Sequence, residues 1–258
     1  PIDIIHNNDQ IDINYFLYWA NESWKKTWYG DDNSLIWEQK YGGKKDWHAH
    51  YEYCSKFFHD KRYKKINNMP VFIIYKPADF KNIDSFISYW NDLAIKDGFD
   101  GVYFIKTLGR GENEDLNSFS STITREPNYT FAFRFNFFER ALRFIRTRFL
   151  NIINKHILTR LSLGIVMYKI SYDKIWKKII NNTSKKNHFV GAFVDWDNSP
   201  RKGHNSVIID KASPLKFKKY FKALYIKAQA NNSPCIVINA WNEWGEGAYL
   251  EPDKHNQY

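Results

Sequence analysis

One stretch decides the fold: Cys235-Ile236-Val237-Ile238-Asn239-Ala240-Trp241-Asn242-Glu243-Trp244-Gly245-Glu246-Gly247. Its first six residues are apolar except for Asn239, which is typical of a strand buried on both faces. Two glutamates and two tryptophans follow directly, on a turn that Gly245 and Gly247 allow to be sharp. A buried strand with carboxylates at its C-terminal end indicates an active site at the mouth of a (β/α) barrel.

Strand-like and helix-like segments alternate along the rest of the chain. Apolar runs predict strands at Tyr15–Trp19, Pro70–Tyr75, Gly101–Ile105 and Phe189–Trp196,. Apolar residues at helical spacing predict helices at Asp46–Phe58, Asp84–Lys96 and Lys216–Ala230,. Because the strands are almost continuously apolar, we expect a parallel sheet with helices outside it, which is an α/β fold.

Polar clusters distinguish between two α/β architectures. They follow several strands: Trp19-Ala20-Asn21-Glu22, Lys76-Pro77, Trp196-Asp197-Asn198 and Trp241-Asn242-Glu243. A doubly wound sheet concentrates its functional residues at one switch point, whereas a barrel spreads them over several strand ends. The sequence therefore predicts a (β/α)8 TIM-type barrel, as one domain over residues 1–258.

The two glutamates of the opening stretch are the candidate catalytic residues. Cleavage of a glycosidic bond normally uses two carboxyl groups, one that protonates the leaving oxygen and one that acts as base or nucleophile. On a regular strand Glu243 and Glu246 would point to opposite faces, but the glycine-rich turn can bring both to one rim. The alternative is a glycine-rich loop with two solvated glutamates.

Side chains near the strand ends are the candidate substrate-binding residues. Aromatic rings stack on sugars, and paired amide and carboxylate groups bind sugar hydroxyls. The alternatives are a helix N-cap followed by core tryptophans for residues 19–24, and an Asx-turn before a proline turn for residues 196–201. The predicted binding residues are Trp19, Asn21, Glu22, Trp24, Tyr75, Trp196, Asp197, Trp241, Asn242, Trp244 and Glu251.

Composition narrows the classes of partner. Aromatic residues make up 18% of the chain, which suits a sugar cleft as well as a large core,. Cys54 and Cys235 are far apart and belong to no Cys/His cluster, so we predict neither a metal site nor a cofactor. The net charge is +10, but charge without a recognition motif does not predict a nucleic-acid partner.

A basic helical insertion is predicted around residues 134–161. This segment carries Arg140, Arg143, Arg146, Arg148 and Arg160 among phenylalanine, leucine and isoleucine. It fits either an outer barrel helix with a solvated basic face or a peripheral contact with an anionic membrane. No apolar run reaches the ~18 residues of a membrane span and no signal peptide is visible. We therefore expect a cytoplasmic protein, with the inner face of the membrane as the alternative location.

Four motifs together resemble a known family. The runs 18–24 (YWANESW), 70–77 (PVFIIYKP), 196–201 (WDNSPR) and 241–247 (WNEWGEG) occur in the same order as in the WbsX-like proteins. These are glycoside hydrolase family 99-like domains of bacterial surface-polysaccharide gene clusters. The resemblance spans nearly the whole chain and is weakest between Arg110 and Lys169. It implies a (β/α)8 barrel, and we expect this chain to lack the first β/α units.

The resemblance also implies a chemistry. Family 99 endo-α-mannosidases have an Asn-Glu-Trp-His-Glu-Gly run with two catalytic glutamates; this chain keeps both and has Gly245 in place of the histidine. In their retaining mechanism, one carboxylate deprotonates the sugar 2-hydroxyl, which closes on C1 to give a 1,2-anhydro sugar. The other carboxyl protonates the leaving group and then activates water. Carried over, Glu243 is the base and Glu246 the acid/base.

These expectations favour a carbohydrate-active enzyme that acts on glycosidic bonds in surface-polysaccharide or O-antigen metabolism. Its substrate would be an oligosaccharide or a polyprenyl-linked glycan. One alternative is a glycosyltransferase of O-antigen or capsule biosynthesis, in which a sugar hydroxyl replaces water. Another is a non-catalytic glycan-binding protein.

Overall fold

The computed structural model describes residues 2–26, 34–109, 115–158, 167–182, 188–203 and 206–254. They fall into two compact units. The first comprises the described residues of Pro1–Trp24 and Trp37–Ile123, and the second those of Lys25–Ile36 and Thr124–Tyr258.

Strands and helices alternate along the chain. The strands are β1 (Leu17–Trp19), β2 (Trp24–Lys25), β3 (Leu35–Trp37), β4 (Lys65–Ile66), β5 (Met69–Ile74), β6 (Tyr103–Leu108), β7 (Ser121–Thr124), β8 (Tyr168–Ser171), β9 (His188–Phe193), β10 (Val207–Asp210), β11 (Ile236–Asn239), β12 (Asn242–Glu243) and β13 (Ala248–Tyr249). The helices are α1 (Ile2–His6), α2 (Lys44–Phe58), α3 (Ile83–Lys96), α4 (Phe137–Ile153), α5 (Tyr172–Asn182), α6 (Ser199–Lys202) and α7 (Pro214–Ala230). π-Helical turns occur at Thr130–Arg134 and Asn154–Leu158.

A parallel sheet organises the first unit. β1 pairs with β5 and β5 with β6, all in parallel, and β7 lies beside β6. The β5 residues from Pro70 to Ile74 are all buried, as expected for a strand covered on both faces.

Helices α2 and α3 contribute an aromatic core to this unit. The α3 residues Phe86, Ile87, Trp90 and Ala94 are buried, so the predicted helical face is confirmed. The Trp90 ring lies 5.0 Å from the ring of Phe72 on β5. Gly98 follows the helix with a φ of 90°, the left-handed region that favours glycine at a helix end.

The second unit contains two parallel strand pairs, β9 with β11 and β8 with β10. Gly191 on β9 lies directly against Thr124, the last residue of β7, and its N–H donates to the Thr124 Oγ1 at 3.1 Å. A Cβ at position 191 would clash with the Thr124 carbonyl oxygen. The approach of these two strands therefore excludes a side chain at this position.

Helices α5 and α7 supply the core of the second unit. Trp176 on α5 stacks on Phe193 of β9, with ring centroids 5.4 Å apart, and on Tyr220 of α7 at 5.9 Å. Ser213 caps α7 by accepting a hydrogen bond from the Lys216 N–H at 3.3 Å,. This core fixes the strands whose ends carry the candidate site.

The basic segment is helical over α4 and the π-helical turn that ends at Leu158, and its role as an insertion stays a prediction. Residues 159–161 of the predicted insertion, including Arg160, lie outside the described residues. Within the described part of the chain, no helix combines the length and the apolar character needed to cross a membrane.

The α/β class with parallel strands is confirmed. The (β/α)8-type barrel without its first β/α units and the single domain stay predictions. The strand predicted at Gly101–Ile105 runs on to Leu108, because Lys106 and Thr107 are buried within it. Strand β7 was not predicted, since three of its four residues carry hydroxyl groups; all four are nevertheless buried.

Candidate active site

The two glutamates lie on a short hairpin after β11. Asn242 and Glu243 form β12, which pairs antiparallel with β13. A 3₁₀ turn over Trp244–Glu246 leads to Gly247, which has a left-handed φ of 62°. The reversal of the chain allows side chains three residues apart to meet one partner, which a continuous strand would prevent.

Arg201 on α6 holds both carboxylates. Its Nη1 donates to the Glu246 Oε1 at 3.0 Å, and its Nη2 lies 3.3 Å from the Glu243 Oε1. Because a guanidinium is a rigid planar fork, the two carboxyls lie within the ~9.5 Å upper separation of paired glycosidase carboxyls. Glu246 is the more deeply buried of the two.

Gly245 makes room for this arginine. A Cβ at position 245 would lie 3.1 Å from the Arg201 Nε and 3.4 Å from the Glu243 Oε1. In family 99 enzymes a histidine stands at the corresponding place in the motif. Here the Arg201 guanidinium takes up space next to the missing side chain, so the two positions are sterically coupled.

Gly247 allows a backbone-to-backbone contact between two motifs. A Cβ there would lie 2.9 Å from the Asp197 backbone nitrogen. That N–H donates to the carbonyl oxygen of Glu246 at 2.8 Å. The runs 196–201 and 241–247, separate in sequence, are therefore joined directly.

A second arginine reaches Glu246 from the end of β7. The Arg125 Nη2 lies 3.6 Å from the Glu246 Oε2. The adjacent Glu126 is fully buried, pairs with the Arg134 Nη1 at 2.7 Å, and its carbonyl oxygen accepts a hydrogen bond from the Asn239 Nδ2 at 3.0 Å. These contacts fix the segment that carries Arg125 against the end of β11.

Asp195 adds a third carboxyl near the hairpin. Burial raises the pKa of Asp195 to about 6; the charge of Asp197 adds to the rise and a hydrogen bond from the Trp196 N–H opposes it,. The negative charge of Asp195 also affects the pKa of Tyr249 on β13. A hydrogen bond to Asp253 is the main cause that raises the pKa of Tyr249 to about 12, and the Asp195 charge contributes. A buried carboxyl with a raised pKa thus directly precedes Trp196 and Asp197 in the chain.

Exposed aromatic rings border the glutamates. The side chains of Trp241 and Trp244 are 59% and 47% exposed. The Trp244 ring stacks on Tyr249 at 3.8 Å, and its Nε1 donates to the Glu251 Oε2 at 2.8 Å. Asn242 is also exposed. One face of Trp244 is therefore covered by Tyr249, while the exposed part of the ring has the character that sugar stacking requires.

Trp196 and Asp197 have different environments. The Trp196 ring is buried in the core of the second unit. The Asp197 Oδ1 accepts a hydrogen bond from the Ser199 N–H at 2.9 Å, which is the Asx-turn weighed from the sequence. Contact of either side chain with a substrate stays a prediction.

In the first unit, Asn21 joins the ends of β1 and β5. This fully buried side chain accepts a hydrogen bond from the Lys76 N–H at 2.7 Å and donates to the Lys76 carbonyl oxygen at 2.8 Å. The neighbouring Glu22 Oε2 lies 2.6 Å from the Lys76 Nζ. Asn21 thus fixes the backbone of Lys76 at the end of β5. The partly exposed Glu22 and Lys76 side chains form an ion pair beside it.

The three aromatic residues predicted in this unit differ in exposure. Trp19 packs into the aromatic core, with its ring 4.8 Å from His50 and 5.7 Å from Phe86. Trp24 is exposed and Tyr75 is half-buried. Of the three, Trp24 and Tyr75 offer surface to a ligand, and Trp19 serves mainly the core.

The structure brings residues 195–201 together with 241–251 in the second unit, and 19–22 with 75–76 in the first. The sequence did not identify Arg125, Asp195 or Arg201 as site residues. Arg201 stands within the quoted motif 196–201, and its place at the end of that polar cluster was the available signal. Among the described residues, no group of three or more His, Cys, Asp and Glu side chains is placed to hold a metal ion.

Two comparisons found proteins that are similar to this chain. It is 22% identical over 270 residues to the uncharacterized protein WxcX of two strains of Xanthomonas campestris pv. campestris. The alignment covers 100% of this chain and 35% of WxcX, so the chain spans about a third of these curated relatives. A solved glycoside hydrolase-like protein is similar with a TM-score of 0.41 and 12% identity, over 80% of this chain and 53% of that one.

The family model for Glycosyltransferase WbsX matches residues 1–258. The four motifs on which the resemblance rests all fall in this range, and two of them meet at the glutamate hairpin. The chain therefore belongs to the WbsX glycosyltransferase family.

Proposed function

We propose that this protein is a carbohydrate-active enzyme that cleaves or transfers glycosidic bonds, with Glu243 and Glu246 as its catalytic pair. The observation that carries the proposal is the Arg201 guanidinium shared by both carboxylates. Two carboxyls held this close are what acid and base catalysis at one glycosidic bond needs. Family membership supports a glycan as the substrate.

In the proposed hydrolytic reaction, Glu243 takes the proton of the sugar 2-hydroxyl. The 2-oxygen then bonds to C1, the bond from C1 to the leaving oxygen breaks, and Glu246 protonates that oxygen. In the second step Glu246 takes a proton from water, and the water oxygen bonds to C1. The bond between C1 and the 2-oxygen breaks at the same time, and the 2-oxygen recovers its proton from Glu243. Trp241 and Trp244 would stack on the sugar, with Asn242 and Glu251 beside them.

Transfer is the second candidate, and the two arginines at Glu246 favour it. Arg125 and Arg201 place two guanidinium groups next to one carboxylate, and guanidinium groups bind phosphate well. A donor linked through a phosphate, such as a polyprenyl-linked glycan, would meet these groups at its leaving oxygens. We further propose a complete (β/α)8 barrel for the whole protein, a cytoplasmic location and a role in surface-polysaccharide metabolism.

Turnover assays separate the candidates. The protein is incubated with α-manno-configured glycosides and with polyprenyl-linked oligosaccharides, with and without a sugar acceptor, and products are identified by mass spectrometry. Glu246→Gln should abolish turnover, whereas Glu38→Gln, at an exposed glutamate outside the site, should leave it unchanged. Turnover that survives in Glu246→Gln would exclude the proposed pair. Glycan binding without turnover would favour the glycan-binding alternative.

A further inference from the structure

Helix α4 presents an exposed apolar stripe to solvent. Five large side chains recur at alternating spacings of four and three residues, and about half or more of each is exposed: Phe138 79%, Leu142 48%, Ile145 62%, Phe149 61% and Ile152 54%. At 3.6 residues per turn they occupy an arc of about 80° along roughly 21 Å of helix. Exposed apolar surface this continuous marks an interaction site.

Arginines border the stripe on both sides. Arg146 and Arg148 are exposed, and each falls about 40° beyond one edge of the stripe. The Arg148 guanidinium lies 6.0 Å from the ring centroid of Phe144. This order of cation, apolar face and cation is that of helices that lie in a membrane surface.

The only acidic residue between positions 137 and 158 faces the protein. Glu139 pairs with Lys174 and Lys178, at 2.8 Å each. Arg143 also turns inward, with its guanidinium 5.7 Å from the Phe131 ring. The outward side of α4 therefore joins apolar and positively charged groups without a carboxylate.

We propose that α4 docks the protein onto an anionic lipid surface, with the stripe in the acyl boundary and Arg146 and Arg148 on the phosphates. The charge pattern favours lipid over a second copy of the chain. Pairing two stripes would bring the arginines of both copies together, and no outward acidic group would balance them. The aliphatic members, Leu142, Ile145 and Ile152, also fit acyl chains better than nucleic-acid bases, which stack on aromatic rings.

Vesicle sedimentation tests this inference. The probes are vesicles of phosphatidylcholine and phosphatidylglycerol in equal amounts, and vesicles of phosphatidylcholine alone. The wild-type chain should prefer the anionic vesicles. Phe138→Ser combined with Phe149→Ser should weaken binding at least about tenfold. Arg146→Gln combined with Arg148→Gln should weaken it about 25-fold, since each basic residue near such a surface contributes about fivefold.

Matched controls use exposed residues of α7 in the same unit. Leu215→Ser is the apolar control, and Lys218→Gln combined with Lys222→Gln is the charge control. Both control variants should bind anionic vesicles as the wild type does, or lose much less affinity than the stripe variants. Circular dichroism should show the wild-type thermal midpoint for all variants. Equal binding by stripe and control variants would overturn the proposal. The proposal would also be overturned if the wild-type protein did not bind anionic vesicles. The same holds if sedimentation velocity showed a wild-type dimer that the stripe variants convert to monomers.

Vesicle binding and turnover can fail independently. Glu246→Gln should bind vesicles as the wild type does, because the hairpin is not part of the stripe. Conversely, the stripe variants should turn over a water-soluble oligosaccharide at the wild-type rate. A negative result for vesicle binding therefore does not prevent a test of the catalytic pair, and the reverse also holds.

Discussion

Arg201 and Glu246 are joined by a hydrogen bond of 3.0 Å across 45 residues of sequence. The same guanidinium reaches Glu243, so one side chain sets the spacing of the candidate catalytic pair. Its removal would leave two neighbouring carboxylates without their shared cation.

We expect Arg201→Ala to lower kcat about 100-fold with a smaller effect on KM, because misplacing catalytic groups by about 1 Å has that effect. Arg201→Lys keeps the charge but not the fork, and should recover only part of the rate. Lys202→Ala changes an exposed neighbour on the same short helix and serves as control. Steady-state kinetics on the substrate found by the turnover assays provides the readout. A wild-type kcat in Arg201→Ala would contradict the positioning role.

Restoring the family 99 histidine should not by itself restore a family 99 site. We expect Gly245→His to lower kcat/KM at least about tenfold, because the new side chain displaces Arg201 or Glu243,. In the double variant Gly245→His with Arg201→Ala, kcat/KM should fall by less than the two single effects combined, since both substitutions act on the same space. A double-mutant cycle on kcat/KM measures this coupling. Strict additivity would show that positions 201 and 245 act independently.

Asp195 should make stability fall as pH rises. Its folded pKa of about 6 exceeds the ordinary value of 3.8, so between these values the folded state binds more protons than the unfolded state. Asp195→Asn removes this dependence and should be more stable than the wild type by about 1–3 kcal/mol above neutral pH, with little difference near pH 4. Urea unfolding at both pH values measures the effect. Asp210→Asn, at a more exposed carboxyl, is the comparison variant, and an equal change of stability with pH in both variants would exclude Asp195 as its cause.

Asn21 is expected to act through stability. Asn21→Ala leaves the N–H and carbonyl groups of Lys76 without the fully buried Asn21 side chain as partner, which costs about 2–4 kcal/mol of unfolding free energy. Asn14→Ala, at an exposed asparagine just before β1, should cost much less. Urea unfolding of both variants compares them. If Asn21→Ala were as stable as Asn14→Ala but lost glycan binding, its role would be direct contact with the substrate.

Local sequence patterns predicted those strands and helix faces in which nearly all residues are apolar and buried. The buried strand β5 and the apolar face of α3 each have one dominant signal, and both are confirmed. The pairing of Arg201 with the glutamates could not be predicted, because it depends on a contact between distant segments. The same holds for Arg125, whose neighbour Glu126 is fixed by a buried pair with Arg134. Strand β7 was missed because its hydroxyl side chains look exposed in sequence and are buried in the fold.

The long separation between Arg201 and Glu246 has a consequence during synthesis. Ribosomes add about 5–20 residues per second, so Arg201 emerges several seconds before the carboxylate that pairs with it. Arg125 emerges earlier still. Until the hairpin follows, the nascent second unit contains Arg125 and Arg201 but not the Glu246 carboxylate that lies near both in the folded structure. The contacts of both arginines with Glu246 can therefore form only after the hairpin has been synthesised.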